Sequence, residues 1–123
     1  MTPCWIKWDE RPWEPVNDQI SRKMVIRDRM MMVMYRFGPG LAWPEERHEA
    51  EQCGYIISGR LELTLPDDGT VVVLGPGDGY HLASMVPHSW KTLEEEALFV
   101  DVFSPPRTAL IDQKFAPEAV GAS

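Results

Sequence analysis

Eleven prolines and nine glycines are scattered through the 123 residues, and they leave no stretch long enough for a substantial helix. Turn-forming residues recur about every 8–12 positions, the spacing of an all-β sandwich or barrel. Between them lie eight predicted strands, over residues 20–27, 30–37, 54–57, 60–65, 71–74, 79–82, 89–93 and 97–103. Leu61, Leu63 and Leu65 alternate with Arg60, Glu62 and Thr64, which gives that strand one buried face and one wet face. Residues 71–74 and 98–102 are more continuously apolar, as strands covered on both sides can be. Ser58-Gly59, Pro66-Asp67-Asp68-Gly69 and Gly75-Pro76-Gly77-Asp78 supply the turns.

The hydrophobic share of 44% and charged share of 25% suit one buried core. We expect one domain over 1–123: a barrel core at about 20–106, an N-terminal arm at 1–19 and a C-terminal tail at 107–123. Nineteen acidic against twelve basic residues leave a net charge of −7, which argues against nucleic-acid binding but not against a small anionic ligand held by one arginine. The most apolar run, Met30 to Met34, is far shorter than the ~20 residues that span a bilayer, so no membrane partner is expected. The N-terminus shows no secretory signal. Cys4 and Cys53 form no disulfide framework and lack zinc-site spacing, so a reducing, cytoplasmic setting is expected, with Cys53 as a small buried residue. Met24 and Met30 to Met34 read as core filling. Trp5, Trp8 and Trp13 mark either an edge segment packed on the barrel or a subunit contact. The end of the tail, 113–123, is small and polar and is expected to be loosely ordered.

Only three histidines occur, and two sit in an interpretable frame. One segment runs Gly40, five residues, Glu46, one residue, His48, three residues, Gln52, six residues, Gly59; another runs Gly77, ten residues, His88. Residues two apart on a strand share a face, ~6.6 Å apart, so Glu46 and His48 point together. Gln52 has the same parity, and barrel closure must bring in His88. Imidazole and carboxylate donors suit Zn, Ni, Fe or Mn, with a glutamine carbonyl as a weak neutral addition. The alternative is that Glu46 is a solvated charge beside Glu45 and Arg47, in a barrel without metal. His81 reads as a partly buried or surface histidine. Asp101 and Phe103 share a strand face, and Arg107 follows the turn Ser104-Pro105-Pro106. Asp101 and Arg107 either pair to close the barrel or act on a ligand, since a carboxylate in an apolar strand is costly unless paired.

This frame resembles the cupin family: a glycine, His-x-His, an acidic residue and a glycine, then a second glycine, Pro-x-Gly, a histidine and an asparagine. Every spacing fits, including the 17 residues between Gly59 and Gly77. Several identities differ: Glu46 stands for the first histidine, Gln52 for the glutamate, Ala83 and Met85 for Pro and Gly, and Thr92 for Asn. The resemblance implies an all-β fold, the double-stranded β-helix (jelly-roll) cupin barrel. By position it implies one divalent metal ion on Glu46, His48, Gln52 and His88. Cupins of this size commonly pair, so a homodimer is expected on the same ground.

The runs Glu51-Gln52-Cys53-Gly54-Tyr55 and Asp101-Val102-Phe103-Ser104-Pro105-Pro106-Arg107 resemble the pectin-degradation cupins of the KdgF type. Those proteins help turn unsaturated uronates into linear keto sugars, and they carry glutamine where Gln52 stands. The resemblance implies Asp101, Phe103 and Arg107 as catalytic residues, with Asp101 as acid/base and Arg107 holding a carboxylate. Glu46 departs from that pattern, which has histidine. An isomerase or lyase-like enzyme on a small carboxylated sugar is thus expected. A cupin-type Fe(II) dioxygenase and a non-catalytic small-ligand-binding barrel are the alternatives.

Overall fold

The computed structural model describes residues 4–111; the tail predicted over 113–123 lies outside the described residues. The described residues form ten strands: β1 (Glu14–Pro15), β2 (Ile20–Ile26), β3 (Met31–Phe37), β4 (Ala42–Glu46), β5 (Glu51–Ser58), β6 (Leu61–Leu65), β7 (Thr70–Leu74), β8 (Gly79–Leu82), β9 (His88–Thr92) and β10 (Ala97–Ser104). Among the described residues, helical structure is limited to two 3₁₀ turns, Trp8–Glu10 and Thr108–Leu110. No helix among the described residues is long and apolar enough to cross a membrane. All strand pairs are antiparallel, in a six-stranded sheet ordered β1-β2-β3-β10-β5-β8 and a four-stranded sheet ordered β4-β9-β6-β7. This is the expected jelly roll.

Period-two alternation aims the core inward. β3 buries Met31, Val33, Tyr35 and Phe37, and β10 buries Ala97, Phe99, Asp101 and Phe103. From the other sheet come Trp43, Leu61, Leu63 and Trp90. Phe37 stacks on Trp43 across the layers at 5.7 Å and meets Phe99 edge-on at 4.9 Å, each geometry adding about 0.5–1.5 kcal/mol beyond area burial. Thr92, at the asparagine position of the family pattern, ties a loop down: its hydroxyl accepts from the Leu41 N–H (2.8 Å) and donates to the Gly38 carbonyl (2.7 Å).

All eight predicted strands exist, but two further strands were missed. β1 is two residues long and places part of the expected arm in the sheet beside β2. β4 contains Pro44, which lacks a ladder donor and so disguises a strand. Its register with β9 runs Trp43↔Trp90 and then Glu46↔His88, so one extra residue bulges out around Pro44-Glu45. The bulge turns both Trp43 and Glu46 inward, which strict alternation forbids for positions three apart.

Other expectations need correction. The valine run of β7 is not covered on both sides: Val71 and Val73 are 59% and 46% exposed, because β7 is a sheet edge that pairs only with β6. Residues 98–102 do alternate, in a central strand. Cys53 is exposed, since β5 turns Gln52 and Ile56 inward and Cys53 outward. Among the described methionines, Met31 alone is fully in the core, Met24 packs against the core, and Met30 is exposed. Trp13 lies against Lys23 and Arg36 by cation–π contact, and the Trp8 carbonyl accepts from Lys23, so these two tryptophans pack on the barrel; Trp5 is exposed. The expected tail from 107 opens with two buried residues, Arg107 and Leu110.

Gly59 makes the turn that carries the chain from β5 in one sheet to β6 in the other, at φ +75°, and a Cβ there would meet the Glu96 carbonyl oxygen at 2.1 Å. Gly59→Ala is expected to cost about 3 kcal/mol or more, because the strained φ and a backbone clash coincide. An unchanged urea midpoint contradicts this.

Candidate metal centre

β4 and β9 deliver Glu46 and His88 as direct cross-strand partners, and His48 follows β4 on the same inward parity. Gln52 opens β5 opposite Phe103 of β10, and Asp101 pairs across from Gly54. Glu46, His48, Gln52 and His88 are all buried. One donor atom each from Glu46, His48 and His88 lie within 4.8 Å of one another, the one such group among the described residues. The solvated-charge alternative for Glu46 therefore fails. His81 is on the surface, as expected, paired with Glu51.

Both histidine tautomers are fixed by backbone. His48 Nδ1 donates to the Ala50 carbonyl and His88 Nδ1 to the Val86 carbonyl, each at 2.8 Å; a carbonyl only accepts, so the proton sits on Nδ1. Burial, reinforced by the Arg107 charge, pushes the His48 pKa below its ordinary value and keeps that ring neutral. The His48 Nε2 then offers a bare lone pair. His88 Nε2 has no hydrogen-bond partner, and its 3.7 Å approach to Glu46 Oε1 is too long for one. His48 Nε2 faces Gln52 Oε1 at 3.1 Å, and the Gln52 amide is engaged by Asp101, so two acceptors look at each other.

That arrangement is poor as a hydrogen-bond network and good as a ligand set. A cation between these atoms satisfies both imidazole lone pairs, the amide oxygen and the carboxylate together. The 3.7 Å separation of His88 and Glu46 donors is close to the ~3.4 Å expected for two donors on one tetrahedral ion with ~2.1 Å bonds. The residues fit a divalent metal of borderline softness.

Beside this cluster lies a cavity lined by Tyr35, Phe37, Trp43, Trp90, Phe99 and Phe103 with Glu46, Gln52, Asp101 and Arg107 as its polar groups. The predicted site residues thus converge, and of the two alternatives for Asp101 and Arg107 the direct pairing does not form. Arg107 pairs with Glu46, at 3.4 Å for both Nη1–Oε1 and Nη2–Oε2, and its guanidinium carbon lies 5.1 Å from the Phe103 ring. Burial opposes ionisation of Glu46, but facing His88 and the Arg107 charge outweigh it and hold its carboxyl below the ordinary value. Asp101 accepts instead from the Tyr80 hydroxyl. Burial raises its pKa to about 6, against the opposing hydrogen bonds from Tyr80 and Gln52 and the charge of Arg107.

Tyr80 is the site residue that sequence reasoning missed. A Cβ at Gly54 would sit 2.0 Å from its ring, so glycine at that position lets the phenol lie flat across β5 and reach Asp101. The signal was the glycine inside a strand pattern, which marks close approach of another group. Tyr80→Phe keeps the ring and removes one donor from a buried carboxylate. It is expected to lower unfolding free energy by about 1–3 kcal/mol, read from denaturant midpoints; no change shows that Asp101 does not depend on that hydroxyl.

The Cupin domain family matches residues 33–103, more than half of the chain. The pectin degradation protein KdgF of Dickeya dadantii (strain 3937) is 34% identical over 101 residues, covering 80% of this chain and 90% of that protein. The chain is a KdgF-like cupin. The solved structure of KdgF from a Halomonas species superimposes with a TM-score of 0.80 at 30% identity, over 89% of this cupin and 99% of that chain. An RmlC-like cupin from Shewanella frigidimarina matches at TM-score 0.79 and 22% identity, over 89% and 96% of the two chains, a likeness of fold alone.

Proposed function

We propose that this cupin is a metal-dependent enzyme that isomerises or opens a small carboxylated sugar of the uronate type, as released in pectin breakdown. The observation that carries the reading is one cavity lined by Glu46, Gln52, Asp101 and Arg107, with the donor atoms of His48 and His88 grouped around Glu46. The relatedness to proteins named for pectin degradation supports the substrate class. Glu46, His48, Gln52 and His88 would hold the ion, which supplies Lewis acidity toward a substrate oxygen. Arg107 binds the substrate carboxylate through its guanidinium fork. Asp101 Oδ exchanges a proton with a sugar hydroxyl or the adjacent carbon as the ring opens, and a pKa near 6 suits both directions of transfer. Tyr80 and Gln52 orient that carboxyl, while Phe37, Phe99 and Phe103 exclude water. Exposed free Cys4 and Cys53 accord with a reducing, cytoplasmic setting, and we extend the proposal to a homodimer, which sedimentation should read as twice the chain mass.

The test is a panel of unsaturated uronates incubated with metal-loaded protein, following loss of the conjugated double bond. Product from unsaturated uronates and none from neutral sugars supports the reading; no turnover of any uronate contradicts it. A second reading is favoured by one observation, that Glu46, His48 and His88 make a two-histidine, one-carboxylate set suited to Fe(II) oxygen chemistry. Uronate turnover that persists without oxygen removes that second reading.

A further inference from the structure

The position where this chain departs from the KdgF-type pattern is also the position that occupies its arginine. Glu46 and Arg107 are 6% and 4% exposed at their side chains and face each other in the cavity. Their two contacts are both 3.4 Å, well outside the ~2.7–2.9 Å of a fully formed charge-assisted bond. Each partner also has bonding capacity left over. Arg107 Nε is buried with no hydrogen-bond partner, and Glu46 Oε1 stands 3.7 Å from the equally unpartnered His88 Nε2. The pair is therefore loose, and both members border the space that ligands would enter.

We infer that Glu46–Arg107 is an internal latch that makes a divalent cation and a carboxylate ligand bind cooperatively, Glu46 passing to the cation and Arg107 to the carboxylate. The inference rests on the proposed roles of the histidine cluster and of Arg107. Charge accounts for the coupling. With neither ligand the pair is neutral. A cation alone takes Glu46 and strands the Arg107 charge beside a dipositive centre. A carboxylate alone sets two anions on one guanidinium. With both bound, each buried charge has its own partner, so each ligand removes a penalty that the other meets alone. A neutral histidine at position 46 offers Arg107 no internal anion, so the latch belongs to this variant of the site.

The experiment is calorimetric titration of the metal-stripped full chain with Co²⁺, with and without saturating galacturonate, and the reverse titration with and without Co²⁺. Wild type should show galacturonate tightening Co²⁺ binding within the range of about 5–150-fold typical of coupled sites, with the same factor in reverse. Glu46→Gln should lose the coupling and bind galacturonate without metal, and Glu46→His should do likewise, which guards against one variant failing to fold. Coupling that survives both substitutions overturns the latch and assigns the effect to direct metal–carboxylate contact. Independent binding in wild type overturns the latch alone. Wild type that binds Co²⁺ but no galacturonate in any state removes the role of Arg107, and the latch with it. Wild type that binds no Co²⁺ removes the metal reading, and the latch with it.

Discussion

Asp101→Asn is expected to lower uronate turnover by about 10²–10⁴-fold while metal content stays unchanged, the range over which a positioned proton-transfer group acts. The substitution is close to isosteric, and an asparagine carbonyl can still accept from Tyr80, although its amide nitrogen cannot accept from Gln52 as the second carboxylate oxygen does. What disappears is a carboxyl whose burial raises its pKa to about 6, where it can take and return a proton near neutrality. Steady-state kinetics with metal analysis on the same sample separate the two effects. Equal kcat in variant and wild type removes Asp101 from the chemistry.

Arg107→Met should produce a large effect on stability. It removes the cation from a pair whose side chains are 6% and 4% exposed and leaves the Glu46 carboxylate uncompensated. Breaking a buried pair this way costs about 3–5 kcal/mol; the long 3.4 Å contacts argue for the lower end. In metal-free protein of this size that is a fall in Tm of roughly 10 °C. Combining it with Glu46→Gln should return most of the loss, because neither charge is then left alone. A thermal melt in which the single variant matches wild type contradicts the buried-pair account.

Much of this was legible in the chain because the signals were local. Proline and glycine spacing marked the strands, and His48, Gln52 and His88 kept the parity and spacing that barrel closure requires. Glu46 shows where local rules stop. Its inward aim depends on a bulge at Pro44-Glu45, and a proline in a short run hid the strand that carries it. The partners of Arg107 and Asp101 were also beyond reach, since they are set by tertiary arrangement: the arginine found Glu46 of the opposite sheet, 61 positions away, and the aspartate found Tyr80, 21 away, across β5 in its own sheet. β7 misled for the opposite reason. Continuous apolarity predicts cover on both faces, yet an edge strand can carry the same sequence exposed. Met85 is a departure that the backbone tolerates: it holds φ +66° where the family pattern has glycine.

The central claim is that Glu46, His48, Gln52 and His88 bind one divalent ion. Elemental analysis of protein purified without chelator, alongside His48→Ala and His88→Ala, tests it most directly. The structure predicts about one equivalent of a single transition metal in wild type and near none in either variant, with the variants' strand content by circular dichroism unchanged. Wild type without stoichiometric metal even after incubation with Zn²⁺, Ni²⁺, Fe²⁺ or Mn²⁺, or variants that retain the full equivalent, would contradict it.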